Sequence, residues 1–316
     1  MFTIAVDLGG TVIKTGLLDG HNLVATSFVD ANAGKGLEYN LPIIEKTINR
    51  LLKDKKVPFD KILGIGFSFP GLVNSTTNRI LSTNKKYDDG IILNLNQWAK
   101  KTWGLPLYLE NDARMALLGE WQYGAGKGFD NIVMVTIGTG IGSAVLMEGL
   151  LVRGKHFQAG NLGGHFTVNF NGPVCTCGNK GCMESEVSTW RLPQLIKANP
   201  NYSTSLLKNE ELLDYKTLFR YASEDDILAK EILNHCYSVW SAGLINMIHA
   251  YDPEVIILGG GILQSAKIIL PELQKRIDTY AWTPWGNVKL LVAHHINTAA
   301  LYGAVALIKD ELSQVS

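Results

Sequence analysis

The sequence predicts an α/β protein built from two related lobes. Three observations predict it. The length of 316 residues is long for one compact core. Strand-length and helix-length apolar patterns alternate along the chain. A strand-turn-strand unit also occurs twice, about 130 residues apart. Residues 3–24 read TIAVDLGGTVIKTGLLDGHNLV, and residues 132–152 read IVMVTIGTGIGSAVLMEGLLV. Setting Asp7 against Thr136 brings Gly9 onto Gly138, Leu17 onto Leu146, Asp19 onto Glu148 and Gly20 onto Gly149. Each copy offers a turn of bare backbone N–H groups suited to phosphate oxygens. The expectation is a nucleotide gripped in a cleft between the lobes.

Apolar patterning places strands near 3–8, 12–18 and 23–29. An amphipathic helix follows over 36–54, with Leu37, Leu41, Ile44, Ile48 and Leu51 on one side. The run ILGIGFSF (62–69) is a buried strand ended by Pro70-Gly71. A helix over 94–103 and a strand over 105–110 come next, then a helix from Ala113 to Trp121. After the second hairpin, residues 153–186 carry cysteines and little periodicity. Helices are expected near 187–198, 214–222 and 224–250, a strand at 255–261, a further helix, a strand near 288–292, and a last helix near 298–312. The lobes are expected to comprise residues 1–115 plus about 299–316, and 116–298, the second starting near 116 or at the glycine-rich segment YGAGKGFDN (123–131).

Composition excludes several classes. Lys+Arg and Asp+Glu balance at 29 each, without the basic surplus or stripe of a nucleic-acid binder. No helix-turn-helix is expected ahead of the first strand. The start MFTIAVDLGG lacks the features of a signal peptide, and no apolar run approaches the ~18 residues of a bilayer span. The expected location is cytoplasmic, where thiols stay reduced.

The turn Asp7-Leu8-Gly9-Gly10-Thr11 lies between two strands, which excludes the strand-to-helix glycine fingerprints. Gly9 and Gly10 permit close backbone approach to a ligand. Thr11 and Lys14 add a hydroxyl and a cation, and Asp7 is suited to hold Mg²⁺ through water. A plain tight turn explains one such hairpin equally well. The echo at Gly138-Thr139-Gly140 favours phosphate.

Glu110-Asn111-Asp112 ends a strand and opens a helix. Asn and Asp are good helix caps, which would explain them structurally. Asp112 is also suited to accept the proton of an attacking hydroxyl. His165, Cys175, Cys177 and Cys182 supply one imidazole and three thiolates at close spacing, a closed tetrahedral set for structural Zn²⁺. Cys236 falls on an apolar helical pattern and is expected in the core.

The glycine turns DLGGTVIK and TIGTGIG, with FSFPGLVN (67–74), LENDARMALLGEW (109–121), the cysteine segment (175–184) and LGGGI (258–262), resemble the ROK family of sugar kinases and sugar-responsive repressors. The resemblance covers essentially the whole chain. It implies the two-lobe actin-like (ribonuclease-H-like) ATPase fold, ATP and Mg²⁺ as cofactors beside structural Zn²⁺, and phosphorylation of a hexose or hexose derivative. Asp112 would be the general base. Asn111, Glu184 and His165 would meet sugar hydroxyls beside the backbone near Gly71, and Gly259, Gly260 and Gly261 would contact the adenosine side. A homodimer or homotetramer is implied.

One departure concerns specificity. Many family members read Ala-Gly-Glu-x-Gly-His, whereas this chain reads Ala159-Gly160-Asn161-Leu162-Gly163-Gly164-His165. Leu162, or Asn161 after a one-residue shift, replaces the glutamate. The alternative function is a non-catalytic, sugar-sensing ROK regulatory protein without a DNA-binding domain.

Overall fold

The computed structural model describes residues 1–83 and 85–315. In chain order these form β1 (Phe2–Leu8), β2 (Val12–Asp19), β3 (Asn22–Asp30), α1 (Leu37–Asp54), β4 (Ile62–Phe69), β5 (Leu72–Asn74), β6 (Arg79–Ser82), α2 (Leu95–Trp103), β7 (Leu107–Asn111) and α3 (Asp112–Tyr123). Then come β8 (Ile132–Ile137), β9 (Ile141–Met147), β10 (Leu150–Leu151), α4 (Met183–Val187), α5 (Leu192–Lys197), α6 (Tyr215–Ser223), α7 (Ile227–Tyr251), β11 (Val255–Gly259), α8 (Ala266–Tyr280), β12 (Lys289–Val292) and α9 (Ala299–Val315). The chain divides into two compact units. One holds Met1–Gly128, Arg153–Ala159 and the chain from Asn297 onward; the other holds Phe129–Val152 and Gly160–Ile296. The division after Gly128 lies in the glycine-rich segment 123–131, whereas position 116 lies inside α3, a helix of the first unit.

The two units carry the same sheet plan. The first sheet is ordered β3-β2-β1-β4-β7 and the second β10-β9-β8-β11-β12. In each, a hairpin pairs antiparallel on one side of the central strand and two later strands add parallel on the other. The duplication visible in the hairpins therefore extends to whole sheets.

Register corrects the sequence alignment in one respect. Leu8 faces Ile13 across the first turn, leaving four residues between them, whereas Ile137 faces Ile141, leaving three. The second turn is one residue tighter, so equivalence slips by one beyond it. Ile4 faces Leu17, and its counterpart Val133 faces Val145 rather than Leu146.

Helix α1 buries Leu37, Leu41, Ile44, Ile48 and Leu51, the stripe that its spacing predicts. In the first unit α9 lies against β1, β4 and α3. A Cβ on Gly119 would stand 2.0 Å from Ala299 O, and one on Gly303 would stand 1.7 Å from Met115 O, so α3 and α9 approach closely only because both are glycines. The second core gathers Val133, Val135, Trp240, Leu244 and Ile256 around α7. Asp226 caps α7, its Oδ1 accepting from Ala229 N at 2.9 Å, which starts that helix at Ile227 rather than 224. The helix expected over 187–198 is interrupted by extended backbone at Ser188. Among the described residues no helix is long and apolar enough to cross a membrane.

Candidate functional site

In the first unit, the β1–β2 turn carries Asp7, Gly9, Gly10, Thr11 and Lys14. Asp7 is buried with both oxygens engaged: Oδ1 accepts from Ser68 Oγ at 2.9 Å and Oδ2 from Lys14 Nζ at 3.0 Å. The ion pair follows from register, because Asp7 and Lys14 face each other across β1 and β2. Tyr87 OH donates to Gly9 O at 2.8 Å. Tyr87 holds a φ of +57°, unusual for a bulky side chain. Its burial, with nearby Asp7, pushes its pKa up to about 12, so the hydroxyl remains a donor. Cε and Nζ of Lys86 lie 3.1 Å from where a Cβ on Gly10 would stand. Thr11 is exposed.

Asn111 and Asp112 sit where β7 becomes α3. Asn111 is the cap: its Oδ1 accepts from Ala113 N at 3.1 Å and Arg114 N at 3.2 Å, and its Nδ2 donates to Gly71 O at 3.0 Å and to Asp112 Oδ1 at 2.9 Å. Gly71 must lack a side chain, since a Cβ there would stand 2.2 Å from Ser82 O. Asp112 Oδ1 also accepts from Ala113 N at 2.8 Å. Among the described residues nothing donates to Asp112 Oδ2. Part of Asp112 remains open. Desolvation by the surrounding protein, then repulsion from Asp7, pushes its pKa up to about 6. The Ala113 N–H, Lys86 and Asn111 oppose that rise. Desolvation thus outweighs the helix N-terminus, yet a pKa near 6 leaves the carboxylate mostly ionised at neutral pH.

A buried ionic network supports this corner. Glu110 and Arg114 are both 0% exposed, with Arg114 Nη1 3.5 Å from Glu110 Oε1, an ion-pair distance longer than a good hydrogen bond. Arg153 Nε donates to Glu110 Oε2 at 2.9 Å, and Asn111 N donates to Glu110 Oε1 at 2.9 Å. Arg114 Nη2 donates to Phe157 O at 3.2 Å and Ala159 O at 2.7 Å, holding the segment Arg153–Ala159 within the first unit.

In the second unit, the turn Gly138-Thr139-Gly140 is closed by Gly138 N donating to Gly140 O at 2.9 Å. Glu184, buried on α4, accepts from Ile141 N through Oε2 at 2.8 Å, and a Cβ on Gly140 would stand 2.6 Å from that oxygen. Gly260 has a φ of +92°, and a Cβ there would stand 2.2 Å from Ile137 O, so Gly259–Gly261 runs beside the same turn. Ser143 is committed to structure: its hydroxyl donates to Gly160 O at 2.7 Å and accepts from Gly163 N at 2.8 Å. That holds the segment bearing Asn161, whose buried Oδ1 has no hydrogen-bond partner among the described residues.

His165, Cys175, Cys177 and Cys182 converge. One ligand atom from each lies within 4.8 Å of all the others. All four cysteines are free thiols. Cys177 and Cys182 sulfurs are 3.7 Å apart, and Cys175 Sγ is 3.5 Å from His165 Nδ1. Zn–S bonds of about 2.3 Å and Zn–N bonds of about 2.0–2.1 Å set tetrahedral edges of about 3.8 and 3.6 Å, so the cluster fits that ion. Desolvation, then the neighbouring thiols, pushes the Cys182 pKa up to about 12. Cys236 lies apart in the core, as expected.

The structure thus assembles two groups of predicted residues. Asp7, Gly9, Gly10, Lys14, Gly71, Asn111 and Asp112 belong to the first unit; Gly138–Gly140, Asn161, His165, Glu184 and Gly259–Gly261 belong to the second. Sequence reasoning missed Ser68, Lys86, Tyr87, and the Glu110, Arg114 and Arg153 network. Ser68 had one usable signal, lying in the strand that pairs with β1, where it faces Asp7.

The profile of the ROK family matches residues 3–311. A glucokinase of Thermotoga maritima is 30% identical over 98% of this chain and 98% of its own length. A xylose repressor of Bacillus subtilis is 29% identical over 90% of this chain and 71% of its own. The crystal structure of a ROK family glucokinase from Streptomyces griseus, in complex with glucose and AMPPNP, superposes with a TM-score of 0.81 at 26% identity, covering 98% of this chain and 100% of that one.

Proposed function

Because the chain belongs to the ROK family, we propose that it is a sugar kinase that transfers the γ-phosphoryl group of ATP to a hydroxyl of a hexose or hexose derivative. One observation carries the reading: Asp112 is anchored through Oδ1 by two donors while Oδ2 accepts no hydrogen bond among the described residues. A carboxylate fixed in this way suits a general base. The sugar hydroxyl gives its proton to Oδ2 as its oxygen attacks phosphorus, and ADP leaves. Asn111 and Gly71 O orient the sugar, with Glu184, His165 and Asn161 as further hydroxyl partners. Gly9, Gly10, Thr11 and Lys14, with Gly138, Thr139 and Gly140, receive phosphates, and Gly259, Gly260 and Gly261 receive the nucleoside side. Asp7 would hold Mg²⁺ through water, which suits a carboxylate already bonded at both oxygens, and the ion would offset phosphate charge.

The test is the pH profile of sugar-dependent ADP release. Only the ionised base accepts a proton, so the rate should rise through an apparent pKa near 6 and level off above it. A rate that is flat from pH 5 to 8, a range of about 1 unit below and 2 above that value, contradicts Asp112 as the base.

The same proposal assigns a structural Zn²⁺ to His165, Cys175, Cys177 and Cys182, where it would compensate the crowded thiolates and fix the segment leading into Glu184. Purified protein should contain about one zinc per chain, and Cys177→Ser should lose it with a lowered Tm. Metal-free protein of unchanged Tm would exclude that role.

The repressor relative motivates the competing possibility, a sugar-sensing ROK protein without catalysis. It predicts sugar binding with no ADP release.

A further inference from the structure

We propose that Lys86 is a catalytic residue of this transfer, its ammonium binding the oxygens of the moving phosphoryl group. The inference rests on the kinase reading and adds a residue that the sequence did not single out. Lys14, the cation expected at the phosphate turn, is paired with Asp7 at 3.0 Å. Lys86 is the opposite case: its ammonium stands over Gly10 of the same turn, and among the described residues it has no hydrogen-bond or ion-pair partner.

The position of Lys86 is built rather than incidental. Its neighbour Tyr87 is 0% exposed and tied to Gly9 O through its hydroxyl, and Tyr87 N donates to Ala33 O at 3.0 Å. Lys86 N donates to Thr83 O at 3.0 Å, which closes the turn carrying the side chain. The segment is therefore anchored on both sides of Lys86, at a backbone turn suited to phosphate. Lys86 also lies within electrostatic reach of Asp112, favouring its ionised form, while Asp7 acts in the opposite sense.

The chemistry balances without a further reagent. The sugar hydroxyl proton passes to Asp112, the sugar oxygen–phosphorus bond forms, and the bond from phosphorus to the ADP oxygen breaks. Lys86 keeps its protons and donates hydrogen bonds where negative charge gathers in the transition state.

The experiment compares the full-length wild type with Lys86→Gln and Lys86→Arg by sugar-dependent ADP release against pH, with sugar affinity measured by calorimetry. Lys86→Gln should lower kcat by about 10²–10³-fold, the usual effect of losing one charge-stabilising donor, with sugar affinity unchanged. Its acid limb should move above the wild-type value near 6, because the Asp112 carboxylate loses a nearby cation. Lys86→Arg should restore part of kcat and return the limb towards wild type. A Lys86→Gln enzyme with wild-type kcat and an unmoved limb overturns the role of Lys86 alone. Absence of any sugar-dependent release in the wild type overturns the kinase reading and this role with it.

Discussion

Asp112→Asn lowers sugar-dependent ADP release by about 10²–10⁴-fold, the contribution expected of a positioned general base. The variant should fold, because an asparagine Oδ1 still accepts from Ala113 N, and the cap from Asn111 Oδ1 is untouched. Sugar affinity should survive. Stability supplies a second readout with a definite sign. The folded-state pKa of Asp112 is raised to about 6 from an ordinary value of 3.8, so the folded protein holds this proton more tightly than the unfolded chain. The contribution of Asp112 to stability is therefore fully present below about pH 4 and is lost as pH rises towards 6 and beyond. The neutral amide escapes that loss, so Asp112→Asn should melt no lower than wild type at pH 8, by thermal scan. Full activity in this variant would remove Asp112 from the mechanism.

Glu110→Ala is expected to cost about 3–5 kcal/mol, the usual effect of removing one partner from a buried ion pair. It leaves Arg114 charged and fully enclosed, and it strips Asn111 N of an acceptor. A cost of that size should lower Tm by on the order of 10 °C in a chain of this length. Glu110→Gln with Arg114→Met should recover much of the loss, because the uncompensated charge is gone while the volume is largely kept. Activity should fall more than stability alone explains, since Glu110 and Arg114 flank the Asn111-Asp112 pair. A Glu110→Ala protein with a wild-type melting curve would show that the network is dispensable.

The legible parts of this chain were those encoded by short-range pattern. Alternating apolar residues marked the hairpins, the 3.6-residue stripe marked α1, and the ligand types and spacing marked the cluster of His165 and three cysteines. Function at Asn111 and Asp112 was harder to separate from capping, and the structure explains why. Asn111 is a cap, and its remaining amide protons reach Gly71 O and Asp112 Oδ1. What stayed hidden depends on contacts between segments far apart in sequence. Tyr87 holds a positive φ, and its hydroxyl reaches Gly9, which lies 78 residues earlier; no local motif announces that. Arg114 reads as an ordinary polar helix residue until Glu110 and the carbonyls of Phe157 and Ala159 close over it. The one-residue slip between the hairpins escaped an ungapped alignment because glycine-rich turns carry few side chains to register.

Asn161 marks where specificity is to be sought. A buried carbonyl oxygen without a partner is costly, and a sugar hydroxyl would satisfy it. Where many family members carry a glutamate this chain has Leu162, or Asn161 after a one-residue shift, so that charged hydroxyl acceptor is missing in either alignment.

The measurement that bears most directly on the account is sugar-dependent ADP release by the wild-type chain across a panel of hexoses, N-acetylated hexosamines and glycosides, with calorimetry on the same sugars. At least one sugar is expected both to bind and to drive ADP release, yielding one sugar phosphate for each ADP. Sugars that bind with no ADP release across the panel would contradict it and identify the protein as a sensor.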